Sequence, residues 1–433
     1  MMKRLVYLYC TLLMVLALSG TAGASMVTVV RGEVPSGVGS QGKSTGDTIM
    51  LIFGDEKVLI HEHPMTLSGG VLAHENVSRN KLFLVRDRRA VSKRQGYDVL
   101  YSHKGFQLAS VERPRELSGI KSLTLRPITR SMVVLEKADF KKAAPDPAVE
   151  KILDRLDPTT YKEYLSSLSE DLGSRYLCSP EVLDARDIIA QHFKELGLET
   201  HVVKFSSYCW PKRCNAPRGY NVIGIKRGLV SPQKFCLVGA HYDSMNEDAP
   251  CWNAPGANDN GSGIAGVMEL ARIFATVDTK MSVVFAAFSG EEEDILGSKA
   301  LVKSMTSTKP IANLKAANLK SFVALDMISY YKKNYGLIVE GSNAKSSQKA
   351  AANKLMQLGA TYTDLEMEKT FDYGDSDHEP FLNKGMAGAL LIEADWYSYP
   401  YMHTAKDLME YQDIPFAMDV LRLAAAMLAT ESR

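Results

Sequence analysis

Two histidines and a set of carboxylates share one kind of position in this chain: each comes shortly after an apolar run. Residues 235–240 lead into His241-Tyr242-Asp243, residues 282–288 into Ser289-Gly290-Glu291-Glu292, and the run starting at Phe322 into Asp326. Asp259 lies in Pro255-Gly-Ala-Asn-Asp-Asn-Gly-Ser-Gly263, directly ahead of a helical pattern, and His403 follows the run 388–392 at a short distance. Singly, these are ordinary. A His-x-Asp pair decorates many surfaces, an acidic run such as 291–294 suits the first turn of a helix, and an Asp at a strand end is common turn chemistry. A lone histidine such as His403 is usually a polar surface residue. Gathered at one edge of one sheet, they become a mixed histidine and carboxylate donor set of the kind that holds zinc or a similar divalent ion. The chemistry that follows is activation of water for hydrolysis.

Such a set needs elements that carry every member to one edge. The runs at 221–225, 235–240, 282–288, 322–327, 336–340 and 388–392 are apolar along most of their length and bounded by turn residues. Helical patterns lie between and around them. Asp157-Pro158 is a cap and first-turn signal for a helix facing inward with Tyr161, Tyr164, Leu165 and Leu168. Ser179-Pro180 opens another, with Val182, Ala185, Ile189, Phe193 and Leu196 on one stripe and Gly197 ending it. Further helices fit after Gly263, after Asp294, from about Ala344 and from about Pro415. Apolar strands alternating with helices predict an α/β fold with a largely parallel sheet covered on both faces. Sites in such folds lie beyond the carboxyl ends of the strands. No internal repeat is present in the sequence.

The front of the chain reads differently. Lys3 and Arg4 precede an apolar stretch over residues 5–18 and an Ala22-Gly23-Ala24 cleavage-type triplet, the layout of a signal peptide spanning 1–24. That stretch is shorter than the roughly 20 residues a spanning helix needs, and no cysteine follows it to take a lipid. The expectation is an exported protein, secreted or periplasmic. Five of the six cysteines lie beyond the leader. Export makes disulfides plausible, with Cys209–Cys214 the best single short bridge and Cys236 a buried free thiol. Residues 31–47 are rich in Gly, Ser and Pro. Short apolar runs over 48–136 favour β-structure, and composition changes at Lys141-Lys-Ala-Ala-Pro-Asp-Pro147. We therefore expect a β-rich pro-region or accessory domain over 25–143 and a catalytic domain over 144–433. His61-Glu62-His63 reads as one exposed strand face. With 51 basic against 50 acidic residues, charge gives no reason to expect nucleic acid or an anionic membrane as partner. A monomer is the simplest expectation.

From about residue 157 onward the chain resembles the co-catalytic di-zinc aminopeptidase family, which includes secreted bacterial leucine aminopeptidases. Six ordered strings carry the resemblance: Gly239-Ala-His-Tyr-Asp-Ser244, Pro255 to Gly263 as above, Phe288-Ser-Gly-Glu-Glu-Glu-Asp-Ile-Leu-Gly-Ser298, Ala324-Leu-Asp-Met-Ile328, Ser376-Asp-His-Glu-Pro-Phe381 and His403-Thr404. It implies a central mixed sheet sandwiched by helices and two Zn2+ per chain. His241 and Asp326 would hold one zinc, Glu292 and His403 the other, with Asp259 bridging. Asp243 resembles the carboxylate that orients the His241 ring. Glu291 resembles the general base, and Tyr373 falls where relatives place a tyrosine against the developing oxyanion, although an ordinary loop tyrosine fits as well. Two positions depart from the pattern: Asn258 stands where relatives commonly have Asp, and Asp294 where Gly is usual. Neither is a proposed ligand, so local backbone geometry is what they put in question. The substrates implied are the N-termini of peptides or proteins. Rival readings are a single-zinc glutaminyl cyclase on the same fold, a carboxypeptidase or dipeptidase, and a non-catalytic receptor-like relative. The filled ligand set argues against the last.

Overall fold

The computed structural model describes residues 24–31, 49–53, 56–61, 70–78, 81–87, 97–104, 106–117, 123–128, 132–137, 140–208, 218–249, 251–332, 335–371 and 374–433. The leader therefore lies outside the described residues, apart from Ala24. The Cys209–Cys214 segment also lies outside them. Cys236 is buried and free as expected, while Cys178 and Cys251 are disulfide-bonded. No described helix is long and apolar enough to cross a membrane.

The front of the chain is β-structure. Its strands are β1 (Ala24–Arg31), β2 (Ile49–Phe53), β3 (Glu56–His61), β4 (Gly70–Ser78), β5 (Leu82–Asp87), β6 (Tyr97–His103) and β7 (Phe106–Val111), then, after the short helix α1 (Pro114–Leu117), β8 (Leu123–Pro127) and β9 (Met132–Leu135). Among the described residues they form two sheets, ordered β4-β1-β3-β2-β9 and β6-β7-β5-β8. In β2 alternate residues Ile49, Leu51 and Phe53 are buried, the period-two pattern of a half-covered strand. The reading of His61 as an exposed face is corrected. His61 is buried, and its Nε2 lies 2.9 Å from Thr28 Oγ1 on neighbouring β1. Residues 58–61 of β3 are all buried, so both faces of the strand are covered there and period two no longer separates inside from outside. Glu62 and His63 lie outside the described residues.

Beyond residue 140 come α2 (Pro147–Leu153), α3 (Pro158–Ser169), α4 (Val182–Glu195), β10 (Glu199–Lys204), β11 (Tyr220–Lys226), β12 (Ser231–His241), α5 (Gly263–Phe274), β13 (Met281–Phe288) and α6 (Leu296–Met305). Then follow β14 (Leu319–Asp326), β15 (Gly336–Glu340), α7 (Ser346–Tyr362), β16 (Glu366–Thr370), α8 (Glu379–Asn383), β17 (Gly388–Glu393) and α9 (Ile414–Ser432). Asp157 accepts from the Thr159 N–H with Pro158 in the first turn, and Gly197 closes α4 at φ +72°, as the sequence indicates. The start of α4 differs: it begins at Val182 with Glu181 at its N-cap, later than Ser179-Pro180 suggests. The strands form one mixed sheet, β10-β11-β13-β12-β14-β17-β15-β16. Its centre, β13-β12-β14-β17, is parallel, β10 and β11 join antiparallel at one end, and at the other β15 is antiparallel to β17 but parallel to β16. The two edge strands escape a reading by apolar runs. β10 (Glu-Thr-His-Val-Val-Lys) is half exposed. β16 (Glu-Met-Glu-Lys-Thr) is mostly buried despite its charge because the N-terminal strands cover it.

Strand alternation splits the core in two. Val323, Leu325, Leu337, Val339, Ala389 and Leu391 pack with α3, α5, α7 and α9 on one face. Phe322, Ala324, Ile338, Leu390 and Ile392 point to the other, where they join Phe106, Leu108, Val134 and Leu135 in one continuous apolar cluster. The N-terminal strands thus cover that second face together with α6 and α8, which contribute Leu301, Val302, Met305 and Phe381.

Candidate active site

The donor residues arrive from five places at the carboxyl edge of the parallel strands. His241 ends β12 and Asp326 ends β14. Glu291 and Glu292 follow β13, Asp259 sits in the turn before α5, and His403 lies in the loop after β17. His241 Nε2 is 3.4 Å from Asp326 Oδ1 and 3.5 Å from Asp259 Oδ1. His403 Nε2 is 3.0 Å from Glu292 Oε2 and 3.1 Å from Asp259 Oδ2. The two oxygens of Asp259 therefore face the two histidines separately. Two donor groups result, His241 with Glu291 and Asp326, and Asp259 with Glu292 and His403, each with ligand atoms within 4.8 Å of one another. All five expected ligands are brought together. Glu291 also stands among the donors, beside the first group.

The electrostatics fit a cation. Burial works against the charged imidazole of His241, yet the Asp326 and Glu291 carboxylates raise its pKa well above the ordinary value. His403 is raised in the same way, chiefly by Glu292. Burial raises the Glu292 carboxyl. His241 Nε2, Asp326 Oδ1 and Glu292 Oε1 are buried with no hydrogen-bond partner, a costly arrangement unless a further group takes their lone pairs. The His241 tautomer agrees. Its Nδ1 lies 3.1 Å from the Asp243 carbonyl, which can only accept, so Nδ1 carries a proton and Nε2 is the nitrogen that faces the cluster, free to ligate a cation that displaces its proton. These donors fit a zinc pair. The Asp243 carboxylate does something broader than ring orientation. It is 3.7 Å from His241 Nδ1, while its two oxygens accept the backbone N–H groups of Glu291 and Glu292 at 3.3 Å each.

Several supporting residues carry no signal in the sequence. Arg175, fully buried, donates to the carbonyls of Tyr242, Leu168, Pro255 and Gly256, tying the end of α3 to the turns that hold His241 and Asp259. Asp407 accepts the N–H groups of Asn258 and Asp259 at 2.8 and 2.9 Å and the Tyr399 hydroxyl at 2.6 Å. Ser376 donates to Asp326 Oδ2 at 2.7 Å, a role its string Ser376-Asp-His could have suggested. The departures also resolve. Asn258 Nδ2 donates to the buried Glu393 at 2.7 Å, where an aspartate would meet a second carboxylate. Asp294 adopts φ +93°, a conformation that glycine takes without strain. Tyr373 lies outside the described residues. Beside the donors opens a pocket lined by Met327, Leu390, Ile392, Trp396, Met402 and Arg86.

Metal donors at the carboxyl edge of a helix-covered mixed sheet define the class: this is the architecture of the metallo-exopeptidases. Residues 221–428 match the sequence profile of peptidase family M28. A probable zinc metalloprotease of Pyrenophora tritici-repentis is 26% identical over 233 residues, 46% of this chain and 52% of that protein. Aminopeptidase YwaD of Bacillus subtilis is 31% identical over 196 residues, 44% of this chain and 40% of YwaD. The chain thus spans about half the length of the curated relatives it matches. The solved structure of the LapA aminopeptidase of Legionella pneumophila superposes with a TM-score of 0.56 at 17% identity, covering 82% of this chain and 98% of LapA. That share reaches well into the N-terminal strands, so the likeness in fold extends beyond the catalytic sheet.

Proposed function

We propose that the chain is an exported, zinc-dependent aminopeptidase that holds two ions and removes single residues from peptide N-termini. One observation carries the reading: Asp259 offers one oxygen to each of two histidine-containing donor groups. His241 and Asp326 would hold one zinc, Glu292 and His403 the other, and Asp259 both. When bound, the ions would lower the pKa of water toward neutrality and polarise the scissile carbonyl. Glu291 is the general base. Its neighbour Glu292 is engaged with His403, whereas Glu291 borders the first donor group and the pocket. As water adds to the carbonyl carbon, Glu291 takes one of its protons, and it returns that proton to the amide nitrogen as the C–N bond breaks. The products are a free amino acid and the shortened peptide. Asp243 and Ser376 hold Glu291, Glu292 and Asp326 in place. Tyr373 is proposed to face the developing oxyanion. The family match and the names of the relatives support this reading, as does the leader-like sequence at 1–24. We take the working form to be a monomer acting on peptide or protein N-termini, without nucleic acid and without stable insertion in a membrane.

Metal analysis together with turnover of free and N-blocked aminoacyl substrates tests the proposal. We expect close to two zinc per chain, hydrolysis of the free substrates and none of the blocked ones. One zinc with cyclisation of N-terminal glutamine would replace it by the cyclase reading. Cleavage of N-blocked peptides from the other end would replace it by a carboxypeptidase.

A further inference from the structure

Among the described residues that line the pocket beside the donors, Arg86 is the one that comes from the N-terminal sheets. Strand alternation brings it there. Leu82, Leu84 and Arg86 share one face of β5, and the first two lie in the apolar cluster that covers the catalytic sheet. From the other side, Ile338 in that cluster is followed two residues on by Glu340, at the end of β15. The two stripes meet at their polar tips. Arg86 Nη1 donates to Glu340 Oε2 at 2.9 Å, and Nη2 donates to Oε1. Arg86 is 8% exposed and Glu340 0%. The guanidinium lies over the Trp396 ring at 5.3 Å and the Phe106 ring at 5.1 Å.

A two-pronged pairing satisfies the charge of Arg86 inside the protein, so the group is poorly placed to receive a substrate carboxylate. What it gives the pocket is a flat, stacked wall. Met327, Leu390, Ile392, Trp396 and Met402 form the apolar side of the pocket, and Gly374, Asp375, Ser376 and the donors line the rest. The cover that delivers Arg86 is held by more than this pair. Glu136 and Lys369 exchange backbone hydrogen bonds at 2.8 and 2.9 Å, and Lys104 pairs with Glu368 at 2.9 Å. Resting on the aminopeptidase reading, we infer that Arg86 sets the depth of the pocket for the side chain of the substrate's N-terminal residue. The N-terminal domain is then a resident part of the specificity site, not a segment discarded before the enzyme works. The ligand class is an uncharged, apolar side chain of intermediate length.

The test compares two double variants of the full chain, Arg86→Met/Glu340→Gln and Arg86→Ala/Glu340→Gln. Both remove the ion pair without stranding a buried carboxylate, and only the second deepens the pocket. The readout is the ratio of kcat/KM for phenylalanyl against leucyl p-nitroanilide. The alanine double should raise that ratio at least about tenfold over the methionine double, the scale of a changed methylene-sized contact in an apolar pocket. Equal ratios in the two variants would overturn the inference. Should the alanine double not fold, Arg86→Lys, which keeps the charge but loses the planar wall, should shift the ratio in the same direction, and an unchanged ratio overturns the inference equally. Isolation of an active enzyme that begins beyond residue 143 would also overturn it. If the wild type hydrolyses no aminoacyl substrate, the aminopeptidase reading itself has failed. A wild type that turns over both substrates, with variants of unaltered ratio, sinks the pocket assignment alone.

Discussion

Glu291 and Glu292 are adjacent in sequence and chemically alike, yet their surroundings differ. Glu292 Oε2 sits 3.0 Å from His403 Nε2, whereas Glu291 falls with His241 and Asp326 and lines the pocket. Glu291→Gln should therefore cut kcat by about 10²–10⁴ or more, the usual worth of a positioned base, while zinc content stays at the wild-type level. Glu292→Gln should instead lower the zinc stoichiometry. Metal analysis beside steady-state kinetics separates the two, and near-normal turnover of Glu291→Gln would reverse the assignment. Cys236 makes the opposite point, a reactive residue type with no chemistry to do. It is buried inside β12, and burial pushes its thiol up to about 12. Near pH 8 almost none of it is thiolate, the form that reacts. Titration with a thiol reagent at that pH should find Cys236 silent in the native protein and reactive once unfolded. Rapid native labelling at Cys236 would contradict its placement.

The elements that carry chemistry were the legible ones. Buried parallel strands are apolar end to end, so the runs leading to His241, Glu291 and Asp326 announce themselves, and the motifs sit where those runs stop. Less could be read where burial comes from another part of the chain. β16 is charged in sequence and is buried because the N-terminal strands lie on it, and His61 is buried for a similar reason. Arg175 was illegible too, since a loop arginine gives no hint that its side chain will be enclosed. Its placement carries a strong prediction. Four carbonyls from two turns and a helix end depend on its guanidinium, and each buried carbonyl left without a partner costs about 1–3 kcal/mol. Arg175→Met should lower unfolding stability in urea by at least about 3 kcal/mol and reduce zinc affinity, because the turns that hold His241 and Asp259 lose their shared tie. A variant with native stability and full zinc would show those turns to be held by other contacts.

At the scale of the whole molecule, the two parts of the chain are joined twice, by the chain over 137–146 and by a shared core. Lys141 and Lys142 are exposed and touch the body lightly, through a Gln357 bond to the Lys141 carbonyl and a loose Lys142–Asp364 pair at 4.0 Å. Trypsin should nick the native protein there, and the two fragments should still elute together from a sizing column because one apolar cluster spans both. Release of the front fragment, with a rise in activity, would instead mark it as a pro-region. Removing metal should lower the melting temperature, since ligands bound only by the folded state stabilise it and the carboxylates left facing one another no longer share a cation. The sheet order has a further consequence, and it concerns time. β17 lies between β14 and β15, although β15 and β16 precede it in the chain, so the gap between them is closed by a strand synthesised later. The segment that fills the gap also leads directly to His403, last of the donors in chain order. On the proposed reading, the donor set is therefore incomplete until this late segment has joined the sheet.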